Sequence, residues 1–222
     1  MKQDVKLLII FNFLVFYEMD IFLLAMLWTL WCSLHSLLIS RSFTARMQDI
    51  LGKKFAYYRL AYNTFSLLTL LPVVIYQLSL SEEIIFSWPG LWVLVKFGLL
   101  LASFVLFYGG YRVFDMHYVL GIKQVHEMRE DKKINAMDFN FAGILEYVRH
   151  PWYSGAILLV WAFGPISDVS LVTKIILTAY IIIGTFLEEK KLVFEIGQPY
   201  LEYRKRVPML IPWKKGWFDL KE

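Results

Sequence analysis

Two short stretches of this sequence combine charged and aromatic residues within a chain that is otherwise strongly apolar. The first, YVRHPWYSG, places Arg149 and His150 directly before Pro151. The second, FLEEKKL, places the adjacent carboxylates Glu188 and Glu189 after a long apolar run. Charged side chains at membrane depth cost free energy and usually serve a function. These two stretches are therefore the candidates for chemistry.

The proline of the first stretch predicts the start of a helix. Proline is tolerated at the first helical position, where its missing N–H would have no intrahelical partner. The free N–H groups of Trp152 and Tyr153 would then favour an anionic group at the membrane interface. A structural interpretation is also open, in which Arg149 extends to the interface and the two aromatic residues join an interfacial belt.

The glutamate pair also has a structural interpretation, in which both residues mark the helix exit and pair with Lys190 or Lys191. That interpretation does not account for the segment after this pair, which is an aromatic and basic run that ends in two prolines. Its members are Tyr200, Tyr203, Arg204, Arg206, Pro208 and Pro212. Such a run predicts a segment that covers a site.

The composition is that of a membrane protein. Hydrophobic residues make up 58% of the 222 residues and charged residues 19%, whereas soluble domains have about 45–50% and about 25%. The mean hydropathy is +0.52. The one cysteine, Cys32, excludes an internal disulfide and a multi-cysteine metal site, and we predict no metal centre.

Five segments are candidates for crossing the membrane, since a bilayer core needs roughly 20 apolar helical residues. They are residues 19–39, 56–80, 88–111, 152–166 and 169–187. The fourth is short, so its missing turns are expected to come from the residues around Arg149. Residues 5–17 either extend the first helix, which we favour, or form a short interfacial helix. We predict an all-α integral membrane protein with about five transmembrane helices, the last two forming a helical hairpin.

Basic residues predict the orientation of this bundle. They are concentrated in the first and third connections and in the C-terminal tail, whereas the second connection has none. The positive-inside rule then predicts a cytoplasmic C-terminal segment and a cytoplasmic site. Nucleic acid is not a predicted partner, because the basic residues are spread over three membrane-flanking segments without a binding motif.

In order along the chain, the polar stretches resemble the signature of the isoprenylcysteine carboxyl methyltransferase superfamily of integral membrane enzymes. That signature runs RHPxYxG, a glutamate pair, a glycine with YxxY, and VPxxxP. Here it reads RHPWYSG, EEKKL, IGQPYLEY and RVPMLIP. The resemblance covers residues 121–213 and divides one membrane domain into N-terminal helices, residues 1–120, and this methyltransferase core.

The resemblance implies S-adenosylmethionine as the methyl donor. The cofactor-binding residues that it implies are Leu145, His150, Pro151, Trp152, Tyr153, Glu188, Glu189 and Tyr200. The chemistry is consistent, because a glutamate can pair with the donor ammonium, while Arg149 and helix N–H groups can receive its carboxylate. Aromatic faces can stabilise its sulfonium. Arg149 is one of two candidate catalytic residues.

One position departs from the prenylcysteine branch of this superfamily. That branch keeps a substrate-binding arginine one turn before the donor-binding glutamate, where this chain has Gly184. The chain is more similar to the methanethiol S-methyltransferase-like branch, also in WCSLHSLLIS, YYRLAYN and DMHYVLGIKQV.

His35 and His117 lie in these stretches, and His35 is the second candidate catalytic residue, able to deprotonate a thiol or to line its pocket. A buried structural role is the alternative for each histidine.

We therefore expect a membrane methyltransferase that acts on a small apolar thiol, in a bacterial or archaeal cell membrane. Three alternatives stay open at this point. One is a lipid-linked acceptor, either a prenylcysteine carboxylate or a phospholipid amine. Another is a sterol-type reductase that uses a nicotinamide cofactor, although such enzymes are much longer. The third is a non-catalytic membrane protein of a respiratory or denitrification assembly. The sequence leaves the oligomeric state open.

Overall fold

The computed structural model describes residues 2–130 and 141–212, with side chains from Tyr17 onward. Its helices are α1 (Lys2–Ile39), α2 (Arg41–Leu51), α3 (Tyr58–Ser79), α4 (Trp92–Val113), α5 (Met116–Leu120), α6 (Ile122–Arg129), α7 (Pro151–Ala162), α8 (Asp168–Ile196) and α9 (Gln198–Arg206). Short 3-10 helices lie at Gly52–Tyr57 and Gly143–Glu146. Strands β1 (Ile84–Phe86) and β2 (Ile166–Ser167) pair antiparallel. The predicted all-α class is confirmed.

Within the described residues, four segments are long and apolar enough to cross a membrane. They are Tyr17–Ile39, Arg41–Ser79, Trp92–Val113 and Asp168–Ile196. Large apolar side chains such as Leu67 and Phe104, which are 61% and 65% exposed, lie on these helices. Apolar surfaces of this kind are suited to lipid contact, and the protein is a membrane protein.

The fourth predicted crossing is shorter in the structure than expected. Helix α7 has 12 residues, or about 18 Å at 1.5 Å per residue, against a hydrocarbon core of about 30 Å. It forms the predicted hairpin with α8, but the residues around Arg149 add no helical turn to it. By helix length, the described residues therefore contain four candidate membrane crossings and not the predicted five.

Two other helices are longer than predicted. Helix α1 is continuous from Lys2, so residues 5–17 extend the first helix, as we favoured. Helix α8 continues to Ile196, more than two turns beyond the predicted end at residue 187. The glutamate pair consequently lies inside a helix and not at its exit, which fixes the directions in which the two carboxylates point.

A buried apolar cluster joins α1, α3 and α8, and one polar side chain links all three helices. The cluster is built around Leu24, Trp28, Val73 and Val169. At its edge, Gln77 Oε1 accepts hydrogen bonds from Trp28 Nε1 at 3.0 Å and Thr173 Oγ1 at 2.9 Å. Because the bilayer core offers no water, polar groups there must find partners within the protein.

Helices α4 and α7 pack closely through small residues, as is common in membranes. A Cβ on Gly110 would lie 2.2 Å from Trp152 Nε1. That indole N–H donates to the Phe107 carbonyl at 3.1 Å, and Ser103 Oγ donates to the Gly155 carbonyl at 2.8 Å. This packing fixes the side of α7 that faces α4.

The far end of α7 is held by a buried lysine. Lys174, which is 4% exposed, donates from Nζ to the carbonyl oxygens of Val160 and Phe163. These carbonyls lie at the C-terminus of α7, where the helix dipole favours a cation. A short helix that does not fill the bilayer is thereby fixed at this end.

Gly110→Ala is expected to lower the free energy of unfolding, because the new Cβ would overlap Trp152 and overpacking typically costs about 1–3 kcal/mol. Gly98→Ala is the matched control on the same helix, where no described atom lies within 4 Å of the new Cβ. Thermal unfolding in detergent compares the two variants. Equal melting temperatures would contradict the close α4–α7 approach.

The orientation stays a prediction and is open to cysteine labelling. Gln48→Cys on α2 and Ser81→Cys after α3 place exposed thiols at the two ends of the second crossing, while the native Cys32 is buried. A membrane-impermeant maleimide added to intact cells is expected to label position 81 and to spare position 48. Labelling of position 48 alone would reverse the assignment, and labelling of both positions would contradict a crossing between them.

Candidate functional site

The carboxylate of Glu189 is the most heavily bonded group of the site. Its side chain is 4% exposed, and it forms a bidentate pair with Arg149, whose Nε and Nη2 each lie 2.9 Å from a carboxylate oxygen. Arg204 Nε lies 3.0 Å from Oε2. His150 Nε2 lies 2.8 Å from Oε1, and the Tyr200 hydroxyl donates to the same oxygen at 2.6 Å. Such charge-assisted bonds are the strong ones.

The helix ends bring these partners together. Arg149 and His150 stand immediately before α7, which begins at the predicted Pro151. Gly197, with φ of +74°, permits the reversal between α8 and α9, because glycine adopts positive φ without steric cost. That reversal brings Tyr200 back over the end of α8. Burial and the Glu189 carboxylate raise the pKa of Tyr200, so its hydroxyl stays protonated and donates.

The chain after α9 crosses over the start of α7, and we call residues 207–212 the strap. The backbone N–H groups of Arg149 and His150 donate to the carbonyls of Pro208 and Met209 at 3.0 and 3.1 Å. The guanidinium Nη1 of Arg149 donates to the Val207 carbonyl, and Ser154 Oγ donates to the Leu210 carbonyl. The predicted covering segment is therefore present, and it is bonded to the histidine and arginine of the RHP motif.

A small cleft that is open to solvent lies beside this network. Its walls come from the end of α4, the segment before α7, α8 and α9: Phe114, Phe141, Leu145, Arg149, His150, Glu188, Leu192, Tyr200 and Tyr203. The Glu188 side chain is 38% exposed, and its Oε2 lies 4.0 Å from His150 Nδ1. The cleft thus combines one accessible carboxylate with aromatic and apolar walls.

The predicted site residues divide into three groups. Those that line the cleft are Leu145, Arg149, His150, Glu188 and Tyr200. Those that lie behind its wall are Pro151, Trp152, Tyr153 and Glu189: Pro151 is buried, Trp152 packs against α4, and the Tyr153 ring stacks on His150 at 5.5 Å between centroids. His35 lies on α1, outside the cleft lining.

Four lining residues were not among the predicted catalytic or cofactor-binding residues: Phe114, Phe141, Leu192 and Tyr203, of which Tyr203 was predicted only as part of the covering segment. Tyr203 had a signal, since it belongs to the YLEY motif. Its ring stacks on Phe141 at 4.2 Å, and its hydroxyl donates to the Leu145 carbonyl at 2.6 Å. The other three are apolar residues with no polar pattern around them, so only tertiary packing brings them to the cleft.

The geometry differs from expectation for three charged residues, Arg149, Glu189 and Lys191. All three guanidinium nitrogens of Arg149 are bonded, to Glu189 and to backbone carbonyls. Arg149 is therefore placed to position other groups more than to receive a ligand. Glu189, which the resemblance implies to be cofactor-binding like Glu188, has the larger set of protein partners. The sequence left open a pairing of Glu188 or Glu189 with Lys191. In the structure, Lys191 Nζ instead lies 3.9 Å from Glu195 Oε1.

The two histidines within residues 1–120 lie in different surroundings. His35 is half-buried, its Nε2 lies 2.6 Å from the Tyr62 hydroxyl, and its ring stacks on Trp31 at 5.2 Å between centroids. His117 is exposed on α5. The candidate catalytic residue His35 is thus packed among aromatic side chains, whereas His117 lies on the surface.

The sequence is similar to known proteins in two ways. A family model described as NnrU protein matches residues 22–191. Curated relatives named methanethiol S-methyltransferase include one from Crocosphaera subtropica, 38% identical over 43% of this chain and 37% of its own length. Others are from Bradyrhizobium diazoefficiens, 31% identical over 52% and 40%, and from a Pseudomonas species, 34% identical over 52% and 46%.

The match thus spans less than half the length of these relatives. No solved structure matches the chain. The resemblance to the methanethiol S-methyltransferase-like branch, identified from the motifs, is confirmed by these relatives.

Glu189→Gln is expected to be strongly destabilising, because it removes the charge that Arg149, Arg204 and His150 share. Breaking a buried ion pair by removing one partner typically costs about 3–5 kcal/mol. Glu195→Gln, on the exposed surface of the same helix, is the control and should change stability by less than about 0.5 kcal/mol. Chemical unfolding in detergent measures both, and similar values would contradict the central role of Glu189.

Proposed function

The chain belongs to the NnrU protein family, and we propose that this member is an S-adenosylmethionine-dependent membrane methyltransferase acting on a small apolar thiol. The relatives named methanethiol S-methyltransferase support methyl transfer as the reaction class. One observation carries the proposal: Glu188 presents a carboxylate to an aromatic cleft while the adjacent Glu189 is neutralised behind it.

The cleft residues fit the chemistry of this donor, which carries an ammonium, a carboxylate and a sulfonium. Glu188 is 38% exposed, whereas Glu189 is already paired with Arg149 and Arg204, so Glu188 can pair with the ammonium. The rings of Phe114, Tyr200 and Tyr203 line the same space, and aromatic faces attract a cation such as the sulfonium. Binding of this methyl donor by these residues requires no metal ion.

When bound, the donor supplies a methyl group on a positively charged sulfur. The residues of this chain hold and orient the reactants, since in-line transfer to a nucleophile depends mainly on orientation and on removal of water. Leu145 and Leu192 supply apolar wall, and the strap closes the side above Arg149. A thiolate in such surroundings is less hydrated than in water, which favours attack.

Arg149 acts as a positioning residue in this proposal. It connects Glu189 on α8 with the strap, so it fixes the position of the strap relative to α8 next to the cleft. His150 has a related role, because its ring lies between Glu189 and Glu188, with one nitrogen toward each carboxylate. We propose that the cleft lies on the cytoplasmic side, as the distribution of basic residues predicts.

The small thiol is favoured over a lipid-linked acceptor by the names of the relatives and by Gly184. A carboxylate acceptor would have to lose water without a cation at that position, at a cost of several kcal/mol. Purified protein with labelled S-adenosylmethionine is expected to convert methanethiol to its thioether. Methyl ester formation on a farnesylated cysteine analogue, without thioether from small thiols, would establish the lipid-linked alternative.

Glu188→Gln is expected to weaken binding of S-adenosylmethionine by about 1.5–3 kcal/mol, the range for a hydrogen bond to a charged group. Folding should be nearly unchanged, since the Glu188 side chain is 38% exposed. Calorimetric titration of the purified protein measures the affinity, with Glu195→Gln as the charge-matched control. An affinity equal to that of the control would assign Glu188 a purely structural role.

A further inference from the structure

Helix α2 lies between two membrane crossings and is more polar than either of them. It begins at Arg41, two residues after α1 ends at Ile39, and Gly52, with φ of +52°, ends it before α3. Its 11 residues, all within the described part of the chain, are exposed or partly exposed. Because both of its ends are attached to membrane-spanning helices, α2 lies close to the level of the lipid headgroups.

Arg41 places a guanidinium on the outer surface of α8. Its Cζ lies 3.9 Å from the centroid of the Phe194 ring, and Phe194 is itself 70% exposed. A guanidinium over an aromatic face is attracted to the ring and keeps its charge. Among the described residues no carboxylate pairs with Arg41. Its positive charge is therefore available to an anion from outside the protein.

Four residues of α8 form a continuous face that points away from the bundle. They are Ile183, Leu187, Lys190 and Phe194, spaced by four, three and four positions, which places them on one side of the helix. The three apolar side chains are 59%, 54% and 70% exposed, and Lys190 is exposed as well. We call these four residues the outer face.

The two lysines at this end of α8 differ in their partners. Lys191 Nζ lies 3.9 Å from Glu195 Oε1, whereas Lys190 pairs with no carboxylate of the described residues. Lys190 is one turn from Phe194, and side chains four positions apart are neighbours on a helix surface. The Lys190 ammonium and the Arg41 guanidinium can therefore both reach a ligand beside the Phe194 ring.

The length of α8 determines the depth of these two cations in the membrane. Its 29 residues span about 43 Å at 1.5 Å per residue, against a hydrocarbon core of about 30 Å. The last turns of α8 therefore reach the headgroup region, while Ile183 and Leu187 lie earlier in the helix, beside the acyl chains. The outer face is thus apolar along the lipid tails and basic at the level of the lipid phosphates.

We propose that Arg41 and the outer face bind one anionic phospholipid, with the phosphate between Arg41 and Lys190 and an acyl chain along the apolar residues of that face. Charge complementarity supports an anionic lipid, because basic residues next to a membrane crossing attract anionic headgroups. A guanidinium also suits a phosphate, since it offers parallel N–H donors to two of its oxygens. The bound lipid links the start of α2 to the end of α8.

This site lies on a different side of α8 from the cleft. Glu188, which lines the cleft, follows Leu187 and points about 100° away from it. Lipid binding therefore requires no contact with the cleft. The inference is independent of the proposed methyl transfer, and either can fail without the other.

Native mass spectrometry of the full-length protein in nonionic detergent measures the affinity for the first bound lipid. The probes are dioleoylphosphatidylglycerol and dioleoylphosphatidylcholine, which share their acyl chains and differ in net charge. We expect tighter binding of phosphatidylglycerol, and about 25-fold weaker binding of it by the double variant Arg41→Gln/Lys190→Gln, since each basic residue near an anionic surface contributes about fivefold. Binding of phosphatidylcholine is expected to be nearly unchanged.

The matched control is Arg46→Gln/Lys205→Gln, which removes the same charge from α2 and α9. Both side chains are exposed, and Arg46 is five positions from Arg41, or about 140° around the helix. The control is expected to keep its affinity for phosphatidylglycerol. An equal loss in the two double variants would show a general attraction to basic surface and overturn the site. Equal affinity of the unsubstituted protein for the two lipids would overturn it as well.

If the double variant unfolds in detergent, Lys190→Gln alone takes its place, with a loss of about fivefold expected. The position of the lipid is tested with phosphatidylglycerol that carries a diazirine on one acyl chain. Crosslinks are expected between Ile183 and Phe194, and excess unlabelled phosphatidylglycerol should prevent them. Phe104 on α4, which is 65% exposed, should be labelled without such competition. Labelling of both helices that competition does not reduce would show unspecific lipid contact and overturn the site.

Discussion

The need to neutralise one buried carboxylate organises the end of the bundle that carries the cleft. Glu189 lies on a helix that is apolar over most of its length, and a charge removed from water is stable only with partners of opposite charge and satisfied hydrogen bonds. Arg149, Arg204, His150 and Tyr200 provide them. Because these partners come from two other segments, satisfying Glu189 docks the start of α7 and all of α9 onto α8. The cleft is the space that this docking leaves.

The different roles of Glu188 and Glu189 follow from helix geometry. Adjacent residues on an α-helix point about 100° apart at 3.6 residues per turn, so one carboxylate faces the buried arginine while the other faces the cleft. A single ionised group could not serve both purposes, since an acid saturated by two arginines has little capacity left for a ligand cation. The pair thus separates stability, carried by Glu189, from recognition, which we assign to Glu188.

The membrane explains why the rest of the fold relies on small residues and paired polar groups. Lipid offers no hydrophobic gain for bringing helices together, so close packing and internal hydrogen bonds must do so. The approach of α4 to α7 at Gly110 and the Gln77 link between α1, α3 and α8 are examples. Lys174 meets the same constraint by bonding to the carbonyls that end α7. Helix α7, too short to span the bilayer, is held between this lysine and the strap.

The sequence by itself determined the class of protein, most of the long apolar helices, the start of α7 at Pro151 and the two polar stretches that form the site, because these features depend on local composition and on spacing along one element. It also indicated the family through motifs.

Only the tertiary structure decided which glutamate is buried, that all three guanidinium nitrogens of Arg149 are bonded, and that Phe114, Phe141 and Leu192 line the cleft. Those outcomes depend on contacts between residues about 40 or more positions apart, such as Arg149 with Glu189, and a local pattern carries no information on how a helix is rotated toward its neighbours. The end of α7 also differed from expectation: the helix begins at the predicted Pro151 but stops at Ala162, where Lys174 of α8 bonds to its last carbonyls.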